Sequence, residues 1–515
     1  MSKFLKGTLI LMIAGLITRL LGFINRIVIA RMIGEEGVGL FMMAFPTLVL
    51  VISLVQIGLP VAISKAVAEA EARGDKRKTK KILAVSLTVT ISLSLLFTPT
   101  LMLLAPYLAE TLFTDTRIYY PLIAISPIIP IVAVSSVIRG YFQGKQNMRP
   151  AAIAQVLEQA VRIALIAILA KAFLPYGIEF AAAGAMIASV LGELASLIYL
   201  FTVFKVKKKF PIRRNFFKSL RSSKSTLKEL MSIAIPTTGS RMIGSLSWFF
   251  EPIVVSHSLL LAGVAAGVAT KQYGLLTGYA LPLLMLPSFI TFSLSTSLVP
   301  AISEANASKN HKLVEHRLQQ ALRFALLTGG LAVIVLYVYA EPLMTLMYGS
   351  PKGYEFIRLM APFFIFHYYQ GPLQAILQAL DLARAAMINS LIGAIIKITV
   401  IFALSSQPSF GINGAALGIA AGTVLITMLH FATVLKKIQF TIYVAEYVKF
   451  IIAAVLSSII GTLFYTKVLI ESPLVTRLLI GILIIVITYI LFITMFRLLK
   501  KNDLLRIPII NKIIR

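Results

Sequence analysis

Runs of about twenty or more apolar residues follow one another along the whole of this 515-residue chain, separated by short polar connections. At ~1.5 Å of rise per residue, each run matches the ~30 Å hydrocarbon layer of a bilayer. Backbone embedded in lipid must satisfy its hydrogen bonds internally, which leaves helices or closed barrels. Runs of this length, without strict alternation, read as helices. Fourteen segments qualify as spans: 7–30, 38–62, 82–104, 120–143, 152–174, 181–204, 231–260, 275–303, 320–340, 356–380, 386–404, 412–434, 447–466 and 474–496. Charged residues make up 13% of the chain and hydrophobic ones 58%. A soluble domain needs roughly 25% charged residues, so a soluble enzyme, a secreted scaffold and a disordered tail are all excluded. The fold expected is an all-α polytopic membrane protein. With no Cys, disulfides and thiolate metal sites are unavailable. The first span carries Arg19 and Arg26, is longer than a secretory h-region and precedes no small-residue cleavage site, so it is expected to remain as a helix.

An even number of spans puts both termini on one side. With the N-terminus inside, the inner segments hold 35 Lys and Arg, and the outer loops hold five: Arg31, Arg117, Lys271, Lys352 and Lys467. This is the positive-inside asymmetry. It predicts cytoplasmic termini in a plasma membrane. It also accounts for most of the net charge of +29 through topology and anionic lipid heads rather than nucleic acid.

The two halves resemble each other at an offset of about 235 residues. Leu59-Pro60-Val61-Ala62-Ile63-Ser64 matches Leu298-Val299-Pro300-Ala301-Ile302-Ser303. Arg149 aligns with Arg384, Arg162 with Lys397, Gly177-Ile178 with Gly411-Ile412, and Gly184 with Gly418. Each half has six spans, so the repeats run parallel. The domain plan is an N-lobe (1–204), a basic cytoplasmic linker (205–230), a C-lobe (231–435), and a final pair of spans with a basic tail (436–515). Two repeated lobes around a central cavity are the architecture of alternating-access transporters. Pro46, Pro60, Pro127, Pro130, Pro252, Pro282, Pro287 and Pro362 fall in or near spans and are expected to bend them.

Nine basic residues remain within or beside spans: Arg19, Arg26, Arg139, Arg162, Lys171, Arg241, Arg358, Lys397 and Arg477. Only Glu158, Glu193 and Glu251 lie at comparable depth among the acids. Each charge at the membrane centre costs at least ~2.5–3.5 kcal/mol, so it needs a partner or a wet cavity. Lys171, Arg358 and Arg477 lie near span ends and can snorkel. Glu158 and Arg162 are spaced i, i+4 and read as a structural or gating pair or as cavity lining. Glu193 and Glu251 are candidates for gating or ion coupling. Lys397 has Gly393 where its repeat-mate has Glu158, so its own span supplies no partner and it is expected to line the cavity. Arg19 and Arg26 share a face of the first span two turns apart, and Arg241 takes the corresponding place early in span 7. Three guanidinium forks there suit phosphate oxygens. His257 is expected in a loop. Gly140-Tyr141-Phe142-Gln143-Gly144-Lys145 is one residue short of a P-loop and lacks the following Ser or Thr. No cofactor is implied. An anion moving outward would gain about 2.3 kcal/mol per charge per 100 mV.

The motifs Phe4-Leu5-Lys6-Gly7, Thr18-Arg19-Leu20-Leu21-Gly22-Phe23, Ile33-Gly34-Glu35-Glu36-Gly37-Val38-Gly39, Gly58-Leu59-Pro60-Val61-Ala62-Ile63-Ser64-Lys65 and Arg139-Gly140-Tyr141-Phe142-Gln143-Gly144 carry a resemblance that covers nearly the whole chain. On these, the sequence resembles the polysaccharide-transport branch of the multidrug/oligosaccharidyl-lipid/polysaccharide (MATE-like) exporter superfamily. The resemblance implies a flippase of a lipid II-like, undecaprenyl-pyrophosphate-linked saccharide, serving spore-cortex peptidoglycan in endospore-forming bacteria. The partners it implies are that lipid-linked saccharide, the bilayer and cell-wall synthases, with the chain itself a monomer. Arg19 matches an Arg before the Leu-Gly-Phe-type turn of related lipid II flippases. Their next cavity Arg falls on Asn25, with Arg26 one step along, and their helix-8 Arg falls near Pro282. The alternatives are a MATE-type multidrug cation antiporter, which needs buried carboxylates open to a cation, and a flippase for another polysaccharide precursor. A membrane glycosyltransferase or a scaffold for cell-wall synthases lacks the clustered carboxylates or His sets that would support it.

Overall fold

A computed structural model describes residues 3–207, 224–438, 441, 443–468 and 471–498, with side chains throughout except at 3–13, 240, 296 and 297. Residues 208–223 of the expected basic linker and 499–515 of the basic tail lie outside the described residues. All regular structure among the described residues is helical. Eleven helices are long and apolar enough to cross a membrane, or twelve if the bent pair Ala266–Met285 and Ser288–Ala307 is one span. This is fewer than the fourteen expected from sequence, for two reasons. The first two segments run together as one helix, and the segment 356–380 lies in a helix that also carries Arg358, His367, Gln370 and Gln374.

One compact unit comprises Met1–Pro282 and Ser390–Gly418. Its helices are α1 (Lys3–Gln56), α2 (Leu59–Ala72), α3 (Lys76–Tyr107), α4 (Tyr119–Ile125), α5 (Ile128–Gly144), α6 (Arg149–Phe173), α7 (Ile178–Lys207), α8 (Lys224–Leu261) and α9 (Ala266–Gly274). The 54-residue α1 departs from helical geometry at Gly34 (φ 67°, ψ −173°), a conformation open to glycine but strained for a residue with a Cβ. Asp75 caps α3 by accepting from the Lys78 amide at 2.8 Å. At two of the expected places proline opens or divides helices, and at two others it lies within one. Pro60 opens α2, Pro127 separates α4 from α5, and Pro46 and Pro252 lie inside α1 and α8. A core of Leu59, Ile63, Val67, Leu83, Val137 and Tyr141 joins α2, α3 and α5.

The second unit comprises Leu283–Asn389 and Ile419–Arg515. It contains the end of α10 (Leu281–Met285), then α11 (Ser288–Ala307), α12 (His311–Val338), α13 (Ala340–Tyr348), α14 (Tyr354–Ala379), α17 (Val444–Leu463) and α18 (Leu474–Met495). Between α14 and α17, α15 (Ala383–Ser405) and α16 (Ile412–Leu435) contribute residues to both units. Buried tyrosines tie this bundle together through their hydroxyls. Tyr368 donates to the Leu284 carbonyl at 2.8 Å, Tyr489 to Leu327 at 2.9 Å and Tyr339 to Gly461 at 3.2 Å. Each hydroxyl would otherwise be a stranded donor in apolar surroundings. Arg323 pairs with Glu446 at 2.9 Å, linking α12 to α17.

Candidate functional site

Four charged side chains from three helices meet inside the first unit. Arg139 of α5 directs Nη2 at Glu193 of α7 (3.1 Å to Oε1, 3.3 Å to Oε2), at Glu158 Oε2 of α6 (3.3 Å) and at the Ser196 hydroxyl (3.0 Å). Arg162 donates to the other oxygen of Glu158, one turn away on α6. Glu193 is buried, and the side chains of Glu158 and Arg162 are nearly so. Gly192 permits the approach, because a Cβ there would lie 2.9 Å from the Glu158 carbonyl oxygen. Two guanidinium groups and two carboxylates sum to zero, which is how charge is tolerated away from water. The i, i+4 pair expected from sequence is present. Arg139 and Ser196, which complete it, were not predicted, because their partners lie 19, 54 and 57 positions away.

Lys397 of α15 also has an acid, supplied by another helix. Its Nζ donates to Glu251 Oε2 of α8 at 2.6 Å, with the Glu251 side chain 8% exposed and that of Lys397 18%. Fully buried Tyr273 is a neighbour of Glu251. Lys397 is therefore held by a carboxylate in this structure rather than presented as an open charge. His257, expected in a loop, lies within α8.

The remaining predicted cations are placed differently. Arg19 on α1 is exposed, and Arg26 is half-buried with its Nη1 3.7 Å from Met42 Sδ. Arg241 on α8 is exposed and makes no ion pair among the described residues. Helices α1 and α8 pack together within the unit. The structure thus separates two groups of basic residues. Arg139, Arg162 and Lys397 occupy all three intramembrane acids, and Arg19, Arg26 and Arg241 belong to neighbouring helices. Near span ends, Arg358 lies over the Tyr354 ring at 4.8 Å and Arg477 over Tyr465 at 3.9 Å. Among the described residues, no group of three His, Cys, Asp or Glu could hold a metal ion.

The glycine-rich motifs are places of close backbone contact. A Cβ on Gly39 would lie 2.1 Å from the Thr270 carbonyl oxygen, and one on Gly274 2.3 Å from that of Glu35. Glu35, Glu36 and their neighbours anchor the same contact. Arg117 Nη1 donates to Glu36 at 2.6 Å, Arg117 Nη2 to Asp115 at 2.9 Å, Thr270 Oγ1 to Asp115 at 2.7 Å, and Lys271 Nζ lies 3.4 Å from Glu35. Burial pushes the Asp115 carboxyl up, but the hydrogen bonds from Arg117 and Thr270 more than offset this and hold it below the usual carboxylate range. In α5, a Cβ on Gly140 would meet the Pro60 carbonyl oxygen at 3.0 Å, and one on Gly144 that of Ser64 at 2.7 Å. Small residues four apart here let α5 lie against α2.

Residues 4–306 match the family model described as polysaccharide biosynthesis protein, and residues 276–403 match that of MatE. Stage V sporulation protein B of Bacillus subtilis (strain 168) is 58% identical over 513 residues, covering 100% of this chain and 99% of the relative. Lipid II flippase MurJ of the same strain is 26% identical over 481 residues, covering 89% of this chain and 87% of the relative. Among solved structures, an inward closed conformation of lipid II flippase MurJ superimposes with TM-score 0.67 at 17% identity, covering 96% of this chain and 99% of that one. An inward-facing MATE multidrug transporter gives TM-score 0.64 at 18% identity over 81% of this chain and 93% of that one. The polytopic helical fold, the motifs and these matches agree: the chain belongs to the polysaccharide biosynthesis protein family, within the multidrug/oligosaccharidyl-lipid/polysaccharide exporter superfamily.

Proposed function

We propose that this protein flips a lipid-linked saccharide of the lipid II type, carried on undecaprenyl pyrophosphate, from the inner to the outer leaflet of the plasma membrane for spore-cortex peptidoglycan. The observation that carries this reading is the division of intramembrane charge. Glu158, Glu193 and Glu251 are all engaged by cations, whereas Arg241 is exposed without an ion pair among the described residues. An exposed guanidinium well inside a span requires water or an anion. Arg19, Arg26 and Arg241 would take the pyrophosphate oxygens, for which the guanidinium fork is suited. Lys397 joins that set only in a state where its pair with Glu251 opens, which makes Glu251 a gating group. Glu158, Arg162 and Glu193 serve coupling or gating inside the N-lobe. A multidrug cation antiporter would need a carboxylate open to its cargo, and the pairing of all three acids disfavours it.

Fourteen crossings in an N-in, C-in arrangement are part of this reading. At 1.5 Å per residue, the 54 residues of α1 are about 80 Å long, well over twice the hydrocarbon thickness. Counting α1 as two crossings divided at Gly34, and adding the 26-residue α14, raises twelve to fourteen. The repeat is supported by paired glycines. Gly177 and Gly411 both have positive φ before a helix, and Gly184 and Gly418 both press on the preceding helix, at Leu169 and Ile401. The lobes move by alternating access as a monomer, with cell-wall synthases as downstream partners.

Purified protein in liposomes containing fluorescent lipid II tests the reading by leaflet sidedness. Wild type is expected to equilibrate lipid II across the bilayer. The variant Arg19→Ala/Arg241→Ala, at equal reconstitution, should be slower by about tenfold or more, the loss expected from removing charge-assisted hydrogen bonds. Full flipping by that variant would overturn the assigned site, and no flipping by wild type would overturn the cargo.

A further inference from the structure

The geometry points to Trp248 as the platform on which a sugar ring of the cargo stacks, with Arg241 holding the phosphate beside it. This inference rests on the lipid-linked saccharide reading and assigns the part of the site that would recognise the saccharide. Trp248 is the only Trp in 515 residues. Tryptophan in membrane proteins favours the headgroup level, where its N–H finds water. Trp248 instead lies well inside α8, seven residues beyond Arg241 and thirteen short of the helix end at Leu261. It is half-buried, and its indole N–H finds no hydrogen-bond acceptor among the described residues. The indole nitrogen is also not sealed in the protein interior. Hydrocarbon offers no acceptor, so an N–H at this depth calls for water or a polar ligand.

The ring packs edge-to-face with that of Phe45 of α1, with centroids 5.8 Å apart and planes at 64°. Phe45 is stacked in turn on Phe41 at 5.8 Å and 14°. A rigid, amphipathic ring held in this way is what a pyranose needs. Its C–H face lies on the aromatic surface while a hydroxyl or N-acetyl carbonyl accepts from the indole N–H. Seven residues is close to two helical turns, so Arg241 and Trp248 share one face of α8, about 10 Å apart along the axis. Along that face Arg241 is exposed, Trp248 half-buried and Pro252 buried. A pyrophosphate at Arg241 would leave its first or second sugar ring over the indole. A prenyl chain could also lie on an indole face, but it would leave the N–H without an acceptor.

Because Trp248 is the sole Trp, intrinsic fluorescence of the full-length protein in nanodiscs reports on this position alone. Three probes would be titrated: a lipid II analogue with a C15 prenyl tail, farnesyl pyrophosphate without sugar, and undecaprenol. Binding of each is measured in parallel with radiolabelled ligand. The expected result is a shift or quench of Trp248 emission with the saccharide-bearing analogue only. In binding, Trp248→Leu should weaken the saccharide-bearing analogue about tenfold or more and leave farnesyl pyrophosphate unchanged. Trp248→Phe, which keeps an aromatic face and guards against misfolding of the Leu variant, should fall between them. An equal emission change with farnesyl pyrophosphate would assign the ring to the tail and overturn the proposal. Tight binding of the saccharide-bearing analogue with unchanged emission and unchanged affinity in both variants would overturn it while the lipid-linked cargo stands. If wild type binds none of the saccharide-bearing probe, the cargo reading itself falls, and this assignment with it.

Discussion

Lys397 Nζ lies 2.6 Å from Glu251 Oε2, across 146 positions of sequence. Each residue is the other's means of remaining charged away from water. Removing one partner of such a buried pair typically costs about 3–5 kcal/mol, because the survivor is left uncompensated. Glu251→Gln and Lys397→Met are each expected to lower the unfolding midpoint of the detergent-solubilised protein. The double variant should recover much of the loss. Single variants that melt like wild type would show that the pair carries little energy.

The cluster around Arg139 makes a sharper test of geometry against charge. Arg139→Lys keeps the positive charge, but a single ammonium cannot reproduce the planar guanidinium fork. It should therefore lose stability, by less than Arg139→Gln, which leaves Glu193 beside Glu158 without its cation. Adding Glu193→Gln to Arg139→Gln should restore part of the midpoint. Thermal unfolding of wild type, Arg139→Gln, Glu193→Gln and the double variant gives the coupling, and simple additivity would count against a shared network.

Acid should act on the contact between Asp115, Arg117 and Thr270. The folded carboxyl titrates below its ordinary value of 3.8. Its contribution is thus fully present above that value and is lost as pH falls through the lower folded value. The difference in unfolding midpoint between wild type and Asp115→Asn is expected to be constant from pH 8 to about 5 and to shrink only below about pH 4. A difference that already changes near pH 6 would assign the dependence to another group.

Close packing of α1 on α9 gives a steric prediction. Gly274→Ala would place a Cβ 2.3 Å from the Glu35 carbonyl oxygen and 2.6 Å from the Gly39 amide nitrogen. The neighbouring atoms are backbone and cannot swing aside, so a loss of about 1–3 kcal/mol or more is expected from overpacking. Gly15→Ala in the first part of α1 meets nothing within 4 Å. It should be neutral to slightly stabilising through helix propensity. Equal melting of the two variants would contradict the contact.

Most of the spans were legible because a bilayer demands long apolar runs, and eleven or twelve such helices stand where fourteen were expected. The Glu158–Arg162 pair was legible because one turn of helix is a local distance. Lys397 has no acid within its own span, and its partner comes from α8, which lies 146 positions away in sequence. Arg139 could be counted as an intramembrane cation, yet nothing in its neighbourhood of sequence indicates Glu193 or Ser196. The role of Gly39 was hidden for the same reason, since the carbonyl that excludes a side chain there belongs to Thr270. Pairings across the bundle are decided by which helices touch, and a single sequence does not state that directly.

A single nitrogen atom, Arg139 Nη2, holds acceptors from both α6 and α7 while its own backbone belongs to α5. The three helices are thereby pinned at one point like the legs of a tripod. If one leg tilts, the others must follow or the pin must break. Distances between spin labels on α5 and α7 should accordingly stay fixed through a transport cycle. Bending falls instead to helices with an interior proline and no such pin, α8 at Pro252 foremost among them.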